Sequence, residues 1–258
     1  MSSEPQFIDV GGRRIAIRAR EGNTPGLFWL GGFKSDMKGT KAVALDAHAA
    51  QTGRACIRFD YSGHGESGGR FEDATISQWL EESLAVFGNR AKGPQIVIGS
   101  SMGGWMALLL ARALAKDPSL AKDAKLAGLV LIAPAPDFTE ELMWKQFSDE
   151  IRNQIETTGQ WERPSVYGDP PYAITKKLIE DGRKHLLLGQ PIEVKCPVRI
   201  LQGVLDPDVP WQHAMRLVSC LAQDDVAMTL VKDGDHRLSR PEDIQRLLKT
   251  VDELAADA

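Results

Sequence analysis

A chain of 258 residues, 43% hydrophobic and 26% charged, can build one sizeable core and is neither disordered nor fibrous in composition. Its formal net charge of -4 is spread along the chain without a basic block, which argues against nucleic acid or an anionic membrane as partner. Cys56, Cys196 and Cys220 are too few and too far apart for a disulfide framework or a zinc site, and no stretch approaches the roughly 18 apolar residues of a membrane span. Met1 to Gln6 carry no basic, apolar or Arg-rich leader pattern, so a cytoplasmic protein is expected, with Cys56 and Cys196 as small buried hydrophobes in a reducing compartment.

Phe7 to Arg20 alternates and turns at Gly11-Gly12, which predicts an antiparallel edge hairpin. Leu27 to Leu30 reads as a buried strand ending at Gly31-Gly32, Lys38 to Gln51 as a helix, and Ala55 to Asp60 as the next strand. A Gly- and Ser-rich loop follows from Tyr61 to Gly69. Ile76, Trp79, Leu80, Leu84 and Phe87 then share one face of a helix predicted over Thr75 to Arg90. Gln95 to Gly99 is a strand running into Ser100-Ser101, Met102 to Lys116 an apolar helix, and Leu126 to Ile132 a strand closed by Ala133 to Pro136.

Alternation stops there. From about 137 to 190 the chain offers helical pieces and Pro-rich turns, with no strand. It resumes with a strand over Val198 to Gln202, a helix over Trp211 to Ala222, a strand over Val226 to Val231, and a last helix over Pro241 to Ala255 that places Pro241 in its first turn. Alternating strands and helices imply an α/β fold with a mostly parallel sheet and helices on both faces. The interruption implies one domain over 1–258 carrying a small helical cap.

The run Gly99-Ser100-Ser101-Met102-Gly103 fits the strand-to-helix elbow G-x-S-x-G, with the apolar Ile96-Val97-Ile98 before it and an apolar helix after it. The elbow puts only its central residue at the apex, so Ser101, and not Ser100, is the candidate nucleophile. A serine hydroxyl needs a base to take its proton and a carboxylate to orient that base. In the chain order expected after such an elbow, the acid follows a late strand and the histidine the last one. Asp206 stands after Val198 to Gln202, and His236 just past Val226 to Val231. Asp208 reads as a solvated loop acid. His48 and His213 lie on predicted helices as solvated or minor packing residues; His64 lies in a loop rimming the C-terminal edge of the sheet, within reach of the site, but precedes the serine and is wrong for the base; His185, in or just after the insertion, suits a structural role more than a reach to substrate. The backbone N–H of Met102 and that of Phe33, in the loop Leu30 to Lys34, are the candidate oxyanion donors. No metal-ligand spacing and no phosphate-binding loop occurs, so neither a metal nor a nucleotide cofactor is expected.

Together GSSMGGW, LGGFKSDMKGTKA, IRFDYSGHGES, LQGVLDPDVPW and GDHR resemble the α/β-hydrolases over nearly the whole chain. The loop after Phe33 and the IRFDYSG run are most similar to a small subgroup of mitochondrial palmitoyl-protein thioesterases that also cleave acyl glucuronides, and to its bacterial relatives. That resemblance implies Ser101 as nucleophile, Asp206 as acid, His236 as base, and an acyl ester or thioester substrate, either a small molecule or an acylated protein. Met143, Trp144, Phe147, Trp161, Tyr167, Tyr172 and Leu178 give the insertion apolar surface suited to a lipid-sized pocket or to its own packing. Trp105 reads as core. Carbon–carbon bond hydrolysis or perhydrolysis with the same triad, and a non-catalytic binding protein on the same scaffold, are the alternative expectations. Oligomeric state is not legible in the sequence.

Overall fold

The computed structural model describes residues 4–164, 171–222 and 225–256. The chain runs β1 (Gln6–Val10), β2 (Arg13–Arg20), β3 (Asn23–Leu30), α1 (Thr40–Thr52), β4 (Arg54–Phe59), α2 (Ile76–Arg90), β5 (Gly93–Ser100), α3 (Met102–Lys116) and β6 (Ala124–Ile132). It continues through α4 (Asp149–Thr158), β7 (Gln160–Arg163), β8 (Tyr172–Thr175) and α5 (Lys176–Gly182) to β9 (Val198–Gly203), α6 (Trp211–Cys220), β10 (Val226–Val231) and α7 (Pro241–Ala256).

Eight strands form one sheet in the order β1-β2-β4-β3-β5-β6-β9-β10. The pairs β1–β2 and β2–β4 are antiparallel, as the expected edge hairpin requires, and the pairs from β4 to β10 are parallel. Side-chain alternation explains the two-sided burial. Leu27, Trp29, Ile96, Ile98, Val130 and Ile132 pack with α1 and α7 on one face. Phe28, Leu30, Val97, Leu129 and Leu131 pack with α2, α3 and α6 on the other. Cys56 and Cys196 are buried, as expected of small apolar residues, and Trp105 is fully buried core.

Local chemistry sets the helix ends. Thr75 Oγ1 accepts from the Gln78 N–H at the start of α2, and Gly53, at φ 69°, closes α1 in the left-handed conformation. Pro241 opens α7 with Glu242 and Asp243 in its first turn, where a missing N–H costs nothing and negative charge meets the helix dipole.

The segment between β6 and β9 differs from expectation in one respect. Besides α4 and α5 it holds an antiparallel hairpin, β7–β8, pairing Trp161 with Ile174 and Arg163 with Tyr172. Each strand has four residues, too few for alternation to register in sequence, and β7 is largely exposed, so only pairing reveals it. Of the apolar residues noted in this segment, Met143 and Leu178 are buried, and Trp144, Phe147, Trp161 and Tyr172 are partly buried against the core. Tyr167 lies outside the described residues.

One carboxylate fastens both ends of the segment. Asp137, buried and at φ 58°, accepts from the Leu187 and Leu188 N–H groups, each at 2.8 Å. Burial raises its pKa, while those two donors pull it back down. Asp137→Ala leaves one buried and one part-buried N–H group unpaired, and a loss of about 1–3 kcal/mol is expected in urea unfolding. Limited proteolysis of that variant is expected to cut within 137–190 before the rest of the chain.

Candidate active site

The parallel strands end at one level, because Leu30 pairs with Gly99, Ser100 with Ile132, Ile132 with Leu201 and Val231 with Gly203. The loops that leave this C-terminal edge carry Phe33, Ser101, Asp206 and His236, the edge where open α/β sheets bind ligands.

Ser101 sits between β5 and α3 at φ 55° and ψ -117°, a left-handed backbone that an L-residue adopts only under constraint. The constraint is visible. Its N–H donates to the Ile132 carbonyl (2.9 Å), and its own carbonyl accepts from the Gly104 (2.9 Å) and Ala135 (3.1 Å) N–H groups. The flanking glycines are needed for approach: a Cβ on Gly99 would lie 2.2 Å from the Gly103 oxygen, and one on Gly103 only 2.0 Å from the Leu30 oxygen. The turn thus leaves the Ser101 side chain at the apex, over the N-terminus of α3.

His236 bridges the other two residues. Its Nδ1 is 2.8 Å from Asp206 Oδ2 and its Nε2 is 3.1 Å from Ser101 Oγ. The Asp206 side chain is fully buried and engaged on both oxygens. Oδ1 accepts from the Asp208 (2.9 Å) and Val209 (2.8 Å) N–H groups, and Oδ2 also accepts from Gln202 Nε2 at 3.2 Å. A carboxylate so placed can only accept, so the proton of His236 sits on Nδ1 and the Nε2 lone pair faces the serine hydroxyl. Asp208 comes close to Asp206 and His236, the three offering ligand atoms within 4.8 Å of one another. Both Asp206 oxygens and His236 Nδ1 already hold hydrogen bonds to protein partners.

The loop after β3 lies against the elbow, with a Cβ on Gly32 falling 3.5 Å from Ser101 Cβ. Among the described residues neither the Phe33 nor the Met102 N–H donates to a protein acceptor. The Phe33 ring is held by the rings of Phe71, Trp79, Phe138 and Tyr172 at centroid separations of 4.9–6.0 Å. Tyr172 belongs to the β7–β8 hairpin, which therefore reaches over this loop.

The remaining histidines stand apart from the Ser101–His236 contact. His48 Nε2 meets Asp252 at 2.8 Å, His213 is buried against the Pro136 carbonyl, and His185 Nε2 meets Ser77 Oγ at 2.7 Å. His64 is buried beside the Phe33 loop, where its Nε2 accepts from the Lys34 N–H at 3.1 Å.

Motif reading passed over Lys41, whose Nζ donates to the Arg237 carbonyl and to Ser239 Oγ (3.2 Å), tying α1 to the chain just after His236. Burial pushes its pKa down to about 8. Its only sequence signal is membership of the run LGGFKSDMKGTKA. A cavity of about 440 Å³ is lined by Thr75, Gly159, Lys176, Lys177, Glu180, Asp181 and Lys184, and contains none of Ser101, Asp206 or His236.

Fold and site together define the class: the chain belongs to the alpha/beta hydrolase family, whose pattern it matches over residues 24–247. It is 37% identical over 241 residues to the Homo sapiens protein palmitoyl-protein thioesterase ABHD10, mitochondrial, a match covering 93% of this chain and 76% of that protein. Among solved structures, a putative hydrolase from Agrobacterium vitis S4 is similar with a TM-score of 0.93 at 47% identity, covering 98% of each chain. Mouse alpha/beta hydrolase domain-containing protein 10 is similar with a TM-score of 0.87 at 35% identity, covering 99% of each. The expectation of a cytoplasmic protein is corrected by these curated relatives, which are mitochondrial. A missing leader pattern in the first residues is too weak a signal to stand against them. No helix among the described residues is long and apolar enough to cross a membrane.

His64 also gives the fold a pH dependence. Burial, with a smaller contribution from the Lys34 charge, lowers its pKa from 6.5 to about 4. Between those values the unfolded chain binds a proton that the folded chain refuses. Its contribution is therefore complete above about pH 6.5 and is lost as pH falls toward 4. Against wild type, His64→Phe is expected to lose roughly 2–3 kcal/mol less stability between pH 7 and about 4.5, measured by urea unfolding at both pH values.

Proposed function

We propose that this chain is a serine hydrolase that cleaves the ester or thioester bond of acyl substrates through an acyl-enzyme. The observation that carries this reading is His236 standing between Asp206 and Ser101, at 2.8 and 3.1 Å, with Ser101 at the apex of a strained turn. His236 Nε2 takes the Ser101 proton as Oγ attacks the substrate carbonyl. Asp206 holds the imidazole in its Nδ1–H tautomer and stabilises the imidazolium that forms. The N–H groups of Phe33 and Met102 donate to the oxyanion, with the α3 N-terminus adding its dipole. His236 then protonates the departing thiol or alcohol, and a water activated by the same ring releases the acid.

Residues 1–258 are read as one domain whose cap spans about 137–190. The partly buried Trp144, Phe147, Trp161 and Tyr172 favour an apolar acyl group beneath that cap. The name of the relatives, palmitoyl-protein thioesterase, favours a long-chain thioester, on a small molecule or an acylated protein. No metal or cofactor enters these steps.

Ser101→Ala is expected to lower kcat on p-nitrophenyl esters, acyl-CoA and S-palmitoyl peptides by on the order of 10⁴ or more, and to abolish labelling by a fluorophosphonate probe. Asp206→Asn is expected to cost about 10³ to 10⁴ in kcat with the fold intact. Hydrolysis retained in Ser101→Ala would overturn the assignment, and an inert Ser101 in the wild type would favour a binding protein.

A further inference from the structure

The loop that carries the Phe33 N–H is fixed on both sides of that residue. On one side the Gly32 carbonyl, which belongs to the same peptide group as the Phe33 N–H, accepts from Ser35 N (3.2 Å) and Ser35 Oγ (2.8 Å). On the other, the Lys34 N–H donates to His64 Nε2 at 3.1 Å, and Lys34 itself sits at φ 62°. A non-glycine residue in that region stays there only when its surroundings hold it. Among the described residues, the one side chain from outside the loop that bonds its backbone next to Phe33 is His64.

His64 is itself held in a single state. Its Nδ1 lies 3.1 Å from the Ser62 carbonyl, an acceptor, so Nδ1 carries the proton and Nε2 presents a lone pair. The same Ser62 carbonyl accepts from Trp79 Nε1 at 3.1 Å, while the Ser62 N–H donates to buried Glu82 at 2.9 Å. Rings of Tyr61, Phe71 and Trp79 surround the imidazole at 5.3–5.8 Å, and two of them, Phe71 and Trp79, also pack on the Phe33 ring. Shape and hydrogen bonding therefore act on the same short stretch of backbone.

We propose that His64 is a positioning residue for the oxyanion loop: its neutral ring, protonated on Nδ1, accepts from the Lys34 N–H and so aims the Phe33 N–H at the oxygen of the tetrahedral intermediate. This rests on the reading of Ser101 as nucleophile and Phe33 as oxyanion donor. His64 contacts no reacting atom; it acts through the peptide that follows Phe33. Burial keeps the ring neutral down to about pH 4, so the acceptor is present throughout the neutral range.

The position requires an acceptor at Nε2, which separates His64→Gln from His64→Phe. Glutamine can place its Oε1 near the former Nε2, whereas phenylalanine keeps the shape of the ring and loses the acceptor. His64→Phe is expected to lower kcat on an acyl p-nitrophenyl ester about 10- to 100-fold with KM changed less than threefold, a fraction of what a lost oxyanion donor costs. Its Ki for an acyl trifluoromethyl ketone, a tetrahedral mimic, is expected to rise by the same factor as kcat/KM falls. His64→Gln is expected to stay within about fivefold of wild type in both. Equal losses in the two variants, or a change confined to KM, would overturn the proposal. In case His64→Phe does not fold, ¹⁵N NMR of the wild-type ring decides independently: an Nδ1–H tautomer is expected, and an Nε2–H tautomer would overturn it. Ser101→Ala in the same assay keeps the two readings apart. Activity retained there removes the nucleophile assignment, and with it the proposal, whatever the His64 variants do.

Discussion

Ser101 holds a backbone conformation that costs about 1–3 kcal/mol, and it keeps it because three strands and a helix converge on it. Its N–H is tied to the end of β6, its carbonyl to Gly104 and Ala135, and the first turn of α3 presses Gly103 against the carbonyl that ends β3. No side chain larger than hydrogen fits at Gly99 or Gly103. The ends of β3, β5 and β6 are therefore fixed relative to the serine to within van der Waals contact. Whatever leaves those ends inherits the same reference: the Phe33 loop from β3, α3 from β5, and Asp137 a few residues beyond β6. A strained turn in such a setting shows how tightly the packing around it is determined.

A second regularity is how buried carboxylates tie loops down at this edge of the sheet. Asp206 accepts two backbone N–H groups of its own loop before it meets His236. Asp60 accepts from the Met37 and Glu66 N–H groups, joining the loop after β3 to the loop after β4. Glu82, fully buried on α2, accepts from the Ser62 N–H and from Arg13 Nε on β2. Asp137 does the same for the two ends of the inserted segment. In each case the desolvation of a charge is offset by backbone donors that would otherwise be buried unpaired, and removing the carboxylate leaves those donors with nothing. Loops that would vary in an isolated peptide become parts of one rigid edge.

What could be read beforehand divides along the same line. Alternation placed the edge hairpin and short continuous apolar runs the inner strands of the large sheet, each to within a few residues, since strands buried on both faces read as such runs. The strand-then-helix setting of Gly99 to Gly103, followed by an acid and a histidine after two late strands, singled out the three residues that the structure brings within hydrogen-bond distance. The β7–β8 hairpin escaped because four-residue strands with one exposed face leave almost no periodic trace. The contacts of His64 and Lys41 were not legible for a different reason: each bonds a backbone group about 30 or nearly 200 positions away, and the runs IRFDYSGHGES and LGGFKSDMKGTKA that hold them do not say which group that is. The inference of a cytoplasmic protein leaned on a segment of six residues and was outweighed by relatives that match 93% of the chain.

The sequence by itself determined the α/β class, the elbow at Ser101 and the order of the candidate catalytic residues, because these follow from local periodicity and from steric limits within a few neighbouring positions. Only the tertiary structure decided the sheet order, the hairpin over the Phe33 loop, the His64 contact with the Lys34 peptide and the clasp of Asp137 on Leu187 and Leu188. Those depend on donors and acceptors that are far apart along the chain and meet only once the sheet has formed. Ser101 was legible in five letters; the contacts with Ile132, Gly104 and Ala135 that keep it strained were not.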